Sequence, residues 1–449
     1  MLNRLILDHP VPDLQAAVIT REGSTTWASL RGQAESFLQT YPSLGRRRIG
    51  ISFRPAAESY AAAAAMDRLE CDLFLLDSRL PKAEALELSR KLKLGAFLIA
   101  DENRASPLFE ICELPGEEKW SGSSSVTILT SGSTGTPKAA RHTWDSIARP
   151  VRKGTDNQAP RWLLTYRPNL YAGLQVMIQC FTDRGTLTVA EPEMDPQATA
   201  QLMLASRVQY VSATPSFWRR LLMFADPQIM KNVGLKQITL GGEVVDQAIL
   251  DRISRFFPGV RLVHIYATTE LGRCFSVKDG IAGFPADYLD TPLADRVEMT
   301  VREGELVVRS PNSMRMYDPQ SSQPASVSDW FPTGDLVDVK DGRVHFVGRR
   351  SDMINVAGSK VYPVEVERVI RIIPGVSDVR VFGKSSSIAG ELVACEIVPE
   401  AGQDPQVLKD SVIRVCRADL ASHQQPRMIK IVDRIELSPA GKTLRTRIS

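Results

Sequence analysis

Residues Thr130–Lys138, TSGSTGTPK, place five hydroxyl side chains, two glycines and a lysine within nine positions. Gly, Ser, Thr and Pro dominate surface connections, so a plain loop would account for this composition. The same residues suit a phosphate cradle, which needs many backbone N–H and hydroxyl donors at close approach. The apolar run Val126–Leu129 just before it reads as a strand, and a strand feeding a donor-rich loop is a common way to build such a cradle. The glycine spacing does not fit G-x-x-x-x-G-K-[ST], which argues against a P-loop kinase or GTPase.

The elements that must position this loop alternate along the chain. RIGISF, ESYAAAAAMDRLE and DLFLLD read as strand, helix and strand. The five consecutive alanines read as a helix-packing face. GTLTVA, VQYVSAT, QITL and RLVHIYATTE are further strand candidates separated by helical patterns. Short apolar strands between helices are the signature of βαβ units and a mainly parallel sheet. RVEMTVREGELVVR, near Arg296–Arg309, changes to two alternating strands about a Glu-Gly turn, a hairpin. DPQSSQPASVSDW (Asp318–Trp330) reads as a loop, and a boundary is expected near GRRSDMINVAG. Beyond it DVRVFG, LVACEIV, PQVLKDSVIRVCRADLA and RMIKIVD predict a compact α+β module. The expected architecture is α/β: a large N-terminal domain (1–350) of mainly parallel sheets with helices plus a hairpin or barrel-like subdomain, and a small mobile α+β C-terminal domain (351–449).

Composition narrows the function. With 449 residues, 43% hydrophobic content and a net charge of +3, the chain is an ordinary globular protein of two or three domains. No basic run marks a nucleic-acid partner, and no apolar stretch approaches the length of a membrane span. The six cysteines lie far apart without a C-x-x-C pair, which suits a reducing, cytoplasmic setting rather than zinc or a disulfide framework.

The TSGSTGTPK run resembles the phosphate-binding signature of the adenylate-forming superfamily: acyl- and aryl-CoA synthetases, carrier-loading adenylation enzymes and firefly luciferase. Five further segments follow in that family's order: IYATTELG, GELVVRSP, WFPTGDL, GRRSD and LSPAGKTLRTRI. A Gly-Lys pair near a chain end carries little by itself; here it closes a separate module after the other matches. The resemblance covers most of the chain.

The resemblance implies that Thr130, Ser131, Gly132, Ser133, Thr134, Gly135 and Lys138 hold ATP phosphates. It places Tyr266 at the adenine, Ala267 at the family's glycine, Thr268 or Thr269 near the phosphates and Glu270 at Mg²⁺. A single carboxylate beside a triphosphate is a reasonable magnesium ligand. Asp335 would bind the ribose hydroxyls, Arg349 would lie near ribose and phosphate, and Lys442 would be the catalytic lysine, with Glu270, Thr130 and Lys138 also in the reacting set. The GGE turn Gly241–Glu243, with Gly242 and Glu243 at the nucleotide, would border the acyl site. In the family the small domain rotates after adenylation, and Gly358, in NVAGSKV, would then line a pantetheine tunnel. The activity implied is ATP-dependent acyl-adenylate formation, then transfer to coenzyme A. Alternatives are a carrier phosphopantetheine on an acyl carrier protein in trans, an amine acceptor, or a decayed adenylate-binding scaffold.

Two departures bear on this expectation. The hinge position holds Ser351 with Asp352 next, where the family has Asp or Lys. Leu170 stands where relatives carry His or Asp, leaving no anchor for an α-ammonium group and arguing against α-amino acid substrates. Leu170, Tyr171, Phe217 and Trp218 are candidate acyl-pocket residues, favouring an aromatic or short to medium apolar acid. Ordinary core packing is an equal expectation for Phe217 and Trp218. Arg167 is expected to be solvated, His264 to pack beside the active strand, and Cys274 to be a buried thiol.

Overall fold

A computed structural model describes the chain apart from residues 9–13, 101–108, 116–119, 131–137, 155–157, 192, 294, 318–328, 387–389, 438–441 and 444–449. Two large sheets with parallel cores lie in its first part. In one, Arg48–Phe53 and Asp72–Asp77 pair in parallel, joined by the helix Ala57–Arg68. Ala61–Ala65 on that helix are all buried, because methyl side chains let the helix back lie close against its neighbours. Ser125–Thr130 continues the parallel core and turns back antiparallel into Lys138–His142. Beneath that hairpin Asp72 is fully buried, accepting from Ser125 Oγ at 2.6 Å and Arg141 at 2.9 Å. A buried carboxylate needs such partners.

The second sheet has eight strands, ordered Gly272–Val277, Arg261–Thr268, Gln237–Leu240, Tyr210–Ala213, Arg161–Leu164, Thr186–Val189, Ala16–Ile19, Ser24–Thr26. Its six central strands are parallel. Ligands in such sheets bind beyond the carboxyl ends of the strands. Three of those ends deliver Thr214, the Gly241–Glu243 turn and the Thr268–Glu270 turn.

A five-stranded sheet follows, containing the expected hairpin Glu298–Arg302 and Glu305–Arg309. Glu303 and Gly304 take positive φ of 50° and 75°, the geometry that lets a two-residue turn follow the twist of its strands. The last module has its own core, built from Val379, Val381, Val393 and Ile397 on the strands Val376–Ser386 and Gly390–Pro399 and from Val412 on the helix Pro405–Asp419. It also holds the helix Pro363–Arg371, absent from the sequence expectation. Its apolar stripe of Val366 and Ile370 spans little more than one turn, a weak periodic signal.

This module docks through buried charge. Asp246 accepts from Arg219 at 2.5 Å and lies 3.4 Å from Arg371, which also pairs with Glu367 at 3.0 Å. Both arginines stand 3.9 Å from Asp378. Burial alone would raise Asp246, but the two guanidinium groups and the Ile249 N–H hold it below the usual carboxylate range. For Asp378, farther from the same cations, burial prevails and raises it. Among the described residues no helix is long and apolar enough to cross a membrane.

Candidate active site

The strand Arg261–Thr268 ends in an aromatic stack. The Tyr266 ring lies on Phe275, centroids 5.4 Å apart, and tilts against Phe346 at 5.1 Å. Its hydroxyl donates to Asp335 Oδ2 at 2.6 Å, while Arg349 Nε donates to Asp335 Oδ1 at 2.8 Å. Asp335 and Arg349 face each other in register on the antiparallel strands Phe331–Lys340 and Arg343–Arg349. Burial, then the Asp335 charge, pushes the Tyr266 phenol well above its ordinary value. For Arg349, burial opposes its charge, but Asp335 outweighs that and raises it. Three residues from three separate motifs thus form one cluster.

The hairpin formed by Ser125–Thr130 and Lys138–His142 meets the Thr268–Glu270 turn. Thr130 and Lys138 are cross-strand partners at its root, and Thr130 Oγ1 donates to the Lys138 carbonyl at 3.4 Å. Ser131, Gly132, Ser133, Thr134 and Gly135 lie outside the described residues. Four residues beyond Lys138, His142 is fully buried, its Nε2 2.7 Å from the Thr269 carbonyl. Burial pushes its imidazole down to about 4, with the Thr269 contact and Glu270 pulling the other way. The ring is therefore neutral, and since a carbonyl only accepts, the Nε2–H is its proton. His142 thereby braces the turn carrying Glu270, whose own carbonyl accepts from Met314 N at 2.7 Å. Sequence reasoning missed this histidine; its only local signal was a polar residue sharing one strand face with Lys138 and Ala140.

The chain end reaches the same place. A cavity of about 520 Å³ is bordered by Tyr266, Ala267, Thr268, Asp335, Arg349 and Lys442. Gly242 sits at φ +83°, and a Cβ there would lie 3.5 Å from Lys442 Cε. Lys442 keeps an open side toward the cavity, yet protein crowds it elsewhere. This crowding, then Arg349, lowers its ammonium pKa against the pull of Glu243, Asp335 and Glu270. The following residue is anchored: Thr443 N donates to Glu243 Oε1 at 2.6 Å.

This gathering of Tyr266, Asp335, Arg349 and Lys442 around one cavity can be set beside known proteins. The AMP-binding enzyme model matches residues 48–318, more than half of the chain, and the AMP-binding enzyme C-terminal domain model matches 365–442. The chain belongs to the AMP-binding enzyme family. It is 28% identical over 349 residues to a 2-succinylbenzoate–CoA ligase of Listeria innocua, covering 73% of this chain and 70% of the relative. It is 27% identical over 372 residues to the long-chain-fatty-acid–CoA ligase FadD13 of Mycobacterium tuberculosis, covering 79% and 72%. The anthranilate CoA ligase AuaEII, solved with anthranoyl-AMP, shares the fold at a TM-score of 0.78 and 18% identity, over 98% of this chain and 95% of that one.

Against this AMP-binding fold one expectation needs correction, and the other candidate residues can be placed. Arg167 is not solvated: it is buried and pairs with Asp77 and Glu193, each at 2.6 Å. Trp218 is fully buried, packed edge-on against Phe257, and Phe217 belongs to the same core. Leu170 caps the helix Tyr171–Thr182, and the buried Tyr171 hydroxyl accepts from Arg273 N at 3.2 Å. Leu170, Tyr171, Phe217 and Trp218 do not border the cavity that holds Lys442. Gly358 lies on an exposed turn at φ +89°, its N–H donating to Asn355 Oδ1 at 2.9 Å, away from the cavity in this arrangement. His264 packs as expected, its Nε2 2.8 Å from the Gly283 carbonyl. Cys274 is likewise a buried thiol, raised by burial.

Proposed function

We propose that this enzyme activates a small carboxylic acid with ATP and transfers the acyl group to coenzyme A. The observation that carries this is Lys442, brought from the chain end into the cavity that holds Tyr266, Asp335 and Arg349. Tyr266 offers a flat, stacked surface for adenine. A carboxylate has about four acceptor positions; Tyr266 and Arg349 use two of those on Asp335, leaving room for two ribose hydroxyls. Glu270 would supply a carboxylate for Mg²⁺, an ion that favours few carboxylates alongside phosphate oxygens and water. Among the described residues no cluster of three or more His, Cys, Asp or Glu forms a self-sufficient metal site. A Mg²⁺ ion on Glu270 would neutralise phosphate charge.

The substrate carboxylate oxygen bonds to the α-phosphorus as the bond to the β-phosphate oxygen breaks, and pyrophosphate leaves with the electron pair. Positioning and charge neutralisation dominate such a step. Lys442 acts as a point charge between carboxylate and α-phosphate, and Thr130 and Lys138, at the root of their hairpin, serve the departing phosphates. A thiolate then attacks the acyl carbon and AMP departs. The acid has an apolar or aromatic body, in keeping with Val244, Val245 and Ile265 in the cavity wall. Gly358 serves the thiol step after the C-terminal module turns about Arg349–Asp352.

The test is ATP-dependent pyrophosphate release across aryl, short-chain and medium-chain acids, with and without coenzyme A. Turnover only with coenzyme A is expected. A single burst regardless of coenzyme A would replace it with a carrier protein or amine acceptor, and no release with any acid would overturn the reading.

A further inference from the structure

We propose that Glu243 is a positioning residue: its carboxylate, held at the start of the helix Pro215–Phe224, is the seat into which the segment bearing Lys442 docks. Glu243 stands in the GGE turn, where sequence placed it beside nucleotide and acyl group. Glu243 borders the cavity, and protein donors engage both of its oxygens. Oε2 accepts from Ser216 N at 3.0 Å, and Oε1 accepts from Ser216 Oγ at 3.0 Å and from Thr443 N at 2.6 Å.

The donors at this site are matched to the two oxygens of the carboxylate. Ser216 is the second residue of the helix, after Pro215 and the capping Thr214. Its N–H belongs to the first turn, where amides lack intrahelical acceptors and the helix end favours negative charge. Ser216 is itself buried, so its hydroxyl has a fixed partner. A serine hydroxyl has one proton, and that proton goes to Glu243. In the 3.2 Å contact between Ser216 Oγ and Thr443 Oγ1 the donor is therefore Thr443. Thr443 is thus gripped twice, by its backbone N–H on Glu243 and by its hydroxyl on Ser216. The partners are 200 residues apart in sequence.

The grip acts one peptide bond from Lys442. Fixing the Thr443 N–H fixes the peptide plane that links the two residues, and with it the direction in which the lysine leaves the backbone. Lys442 Cε is correspondingly close to where a Cβ on Gly242, Glu243's neighbour, would lie. The contact is made with Lys442 in the cavity, and a C-terminal module that turned away would break it. It therefore serves adenylation and not the thiol step, for which the module must leave. This kinetic consequence rests on the acyl-adenylating function; the clasp itself does not.

The test uses the full chain with Glu243→Ala, Glu243→Gln and Thr443→Val. Hydrogen exchange of the peptide spanning Lys442 and Thr443 is measured without ligand, alongside peptides of the C-terminal core as a folding control. Glu243→Ala is expected to speed exchange there about 10-fold or more, with Glu243→Gln restoring part of the protection through its remaining acceptor oxygen. Pyrophosphate release, with benzoate or hexanoate as probe acid, is expected to fall about 10- to 100-fold in Glu243→Ala. Thioester formation from supplied benzoyl-adenylate or hexanoyl-adenylate should stay within about threefold. Thr443→Val keeps the N–H and should show a smaller loss confined to adenylation.

Unchanged exchange in Glu243→Ala overturns the clasp whatever the enzyme catalyses. Equal loss of both half-reactions, or no rescue by Glu243→Gln, overturns the positioning role. Faster exchange in Glu243→Ala, with a wild-type protein that turns over no acid, keeps the clasp and removes the acyl-adenylating function instead.

Discussion

His142 makes the stability of the active-site turn depend on pH in a direction that can be worked out. Its folded imidazole titrates at about 4 because burial penalises the charged ring, whereas an unfolded histidine titrates near its ordinary value of about 6.5. The unfolded chain therefore takes up a proton first as pH falls. The contribution of His142 to stability is complete above the unfolded value, declines as pH drops through the interval, and levels off below the folded value. Over the whole interval the loss is about 3 kcal/mol, and by about pH 4.5 most of it has occurred. His142→Gln keeps an N–H donor of similar reach for the Thr269 carbonyl but cannot titrate. Urea unfolding of both proteins, followed by tryptophan fluorescence between about pH 7.5 and about pH 4.5, isolates the histidine from the carboxylates that also begin to protonate. The wild type is expected to lose about 2 to 3 kcal/mol more than the variant across that range. Profiles that run parallel within about 0.5 kcal/mol would show that His142 is not buried neutral against Thr269.

Other outcomes follow from the same geometry. Lys442→Ala should cut adenylate formation by about 100-fold or more while thioester formation from supplied acyl-adenylate stays within about threefold; equal losses would remove Lys442 from the first step. Asp335→Ala should raise KM for ATP by about 10- to 100-fold with a smaller change in kcat, since it takes away charged hydrogen-bond acceptors, and an unchanged ATP titration would contradict its ribose role. Asp246→Asn keeps an oxygen to cap the helix Gln247–Phe256 through Ile249 N but removes the charge shared by Arg219 and Arg371. Small-angle scattering should then show a looser molecule and adenylation should slow; an unaltered profile and rate would mean the buried ion network does not hold the two parts together.

Much of this protein was legible in its amino-acid order. The alternation of apolar strands and helices is local, so RIGISF, DLFLLD, QITL and the Glu303–Gly304 hairpin turn appear where their periods and turn residues require. Thr130 and Lys138 stand at the root of their loop, Cys274 is buried, and Tyr266, Asp335, Arg349 and Lys442 could be named from motif order. Their mutual geometry was not legible. Tyr266 and Asp335 are 69 residues apart and Thr443 and Glu243 are 200 apart, and no local period encodes which distant carboxylate a donor meets. The same limit hid His142, whose partner Thr269 is 127 residues away. It also misplaced Arg167 and left the Phe217–Trp218 pair undecided between core and cavity. A cation becomes structural only when packing seats two acids beside it, and an aromatic faces core or cavity according to how its helix is rotated. Sequence determined which groups the chain possesses and which short elements carry them. Tertiary packing decided which of those groups share a charge, a proton or a wall, because burial and distance, the quantities that set such interactions, exist only once the chain is folded.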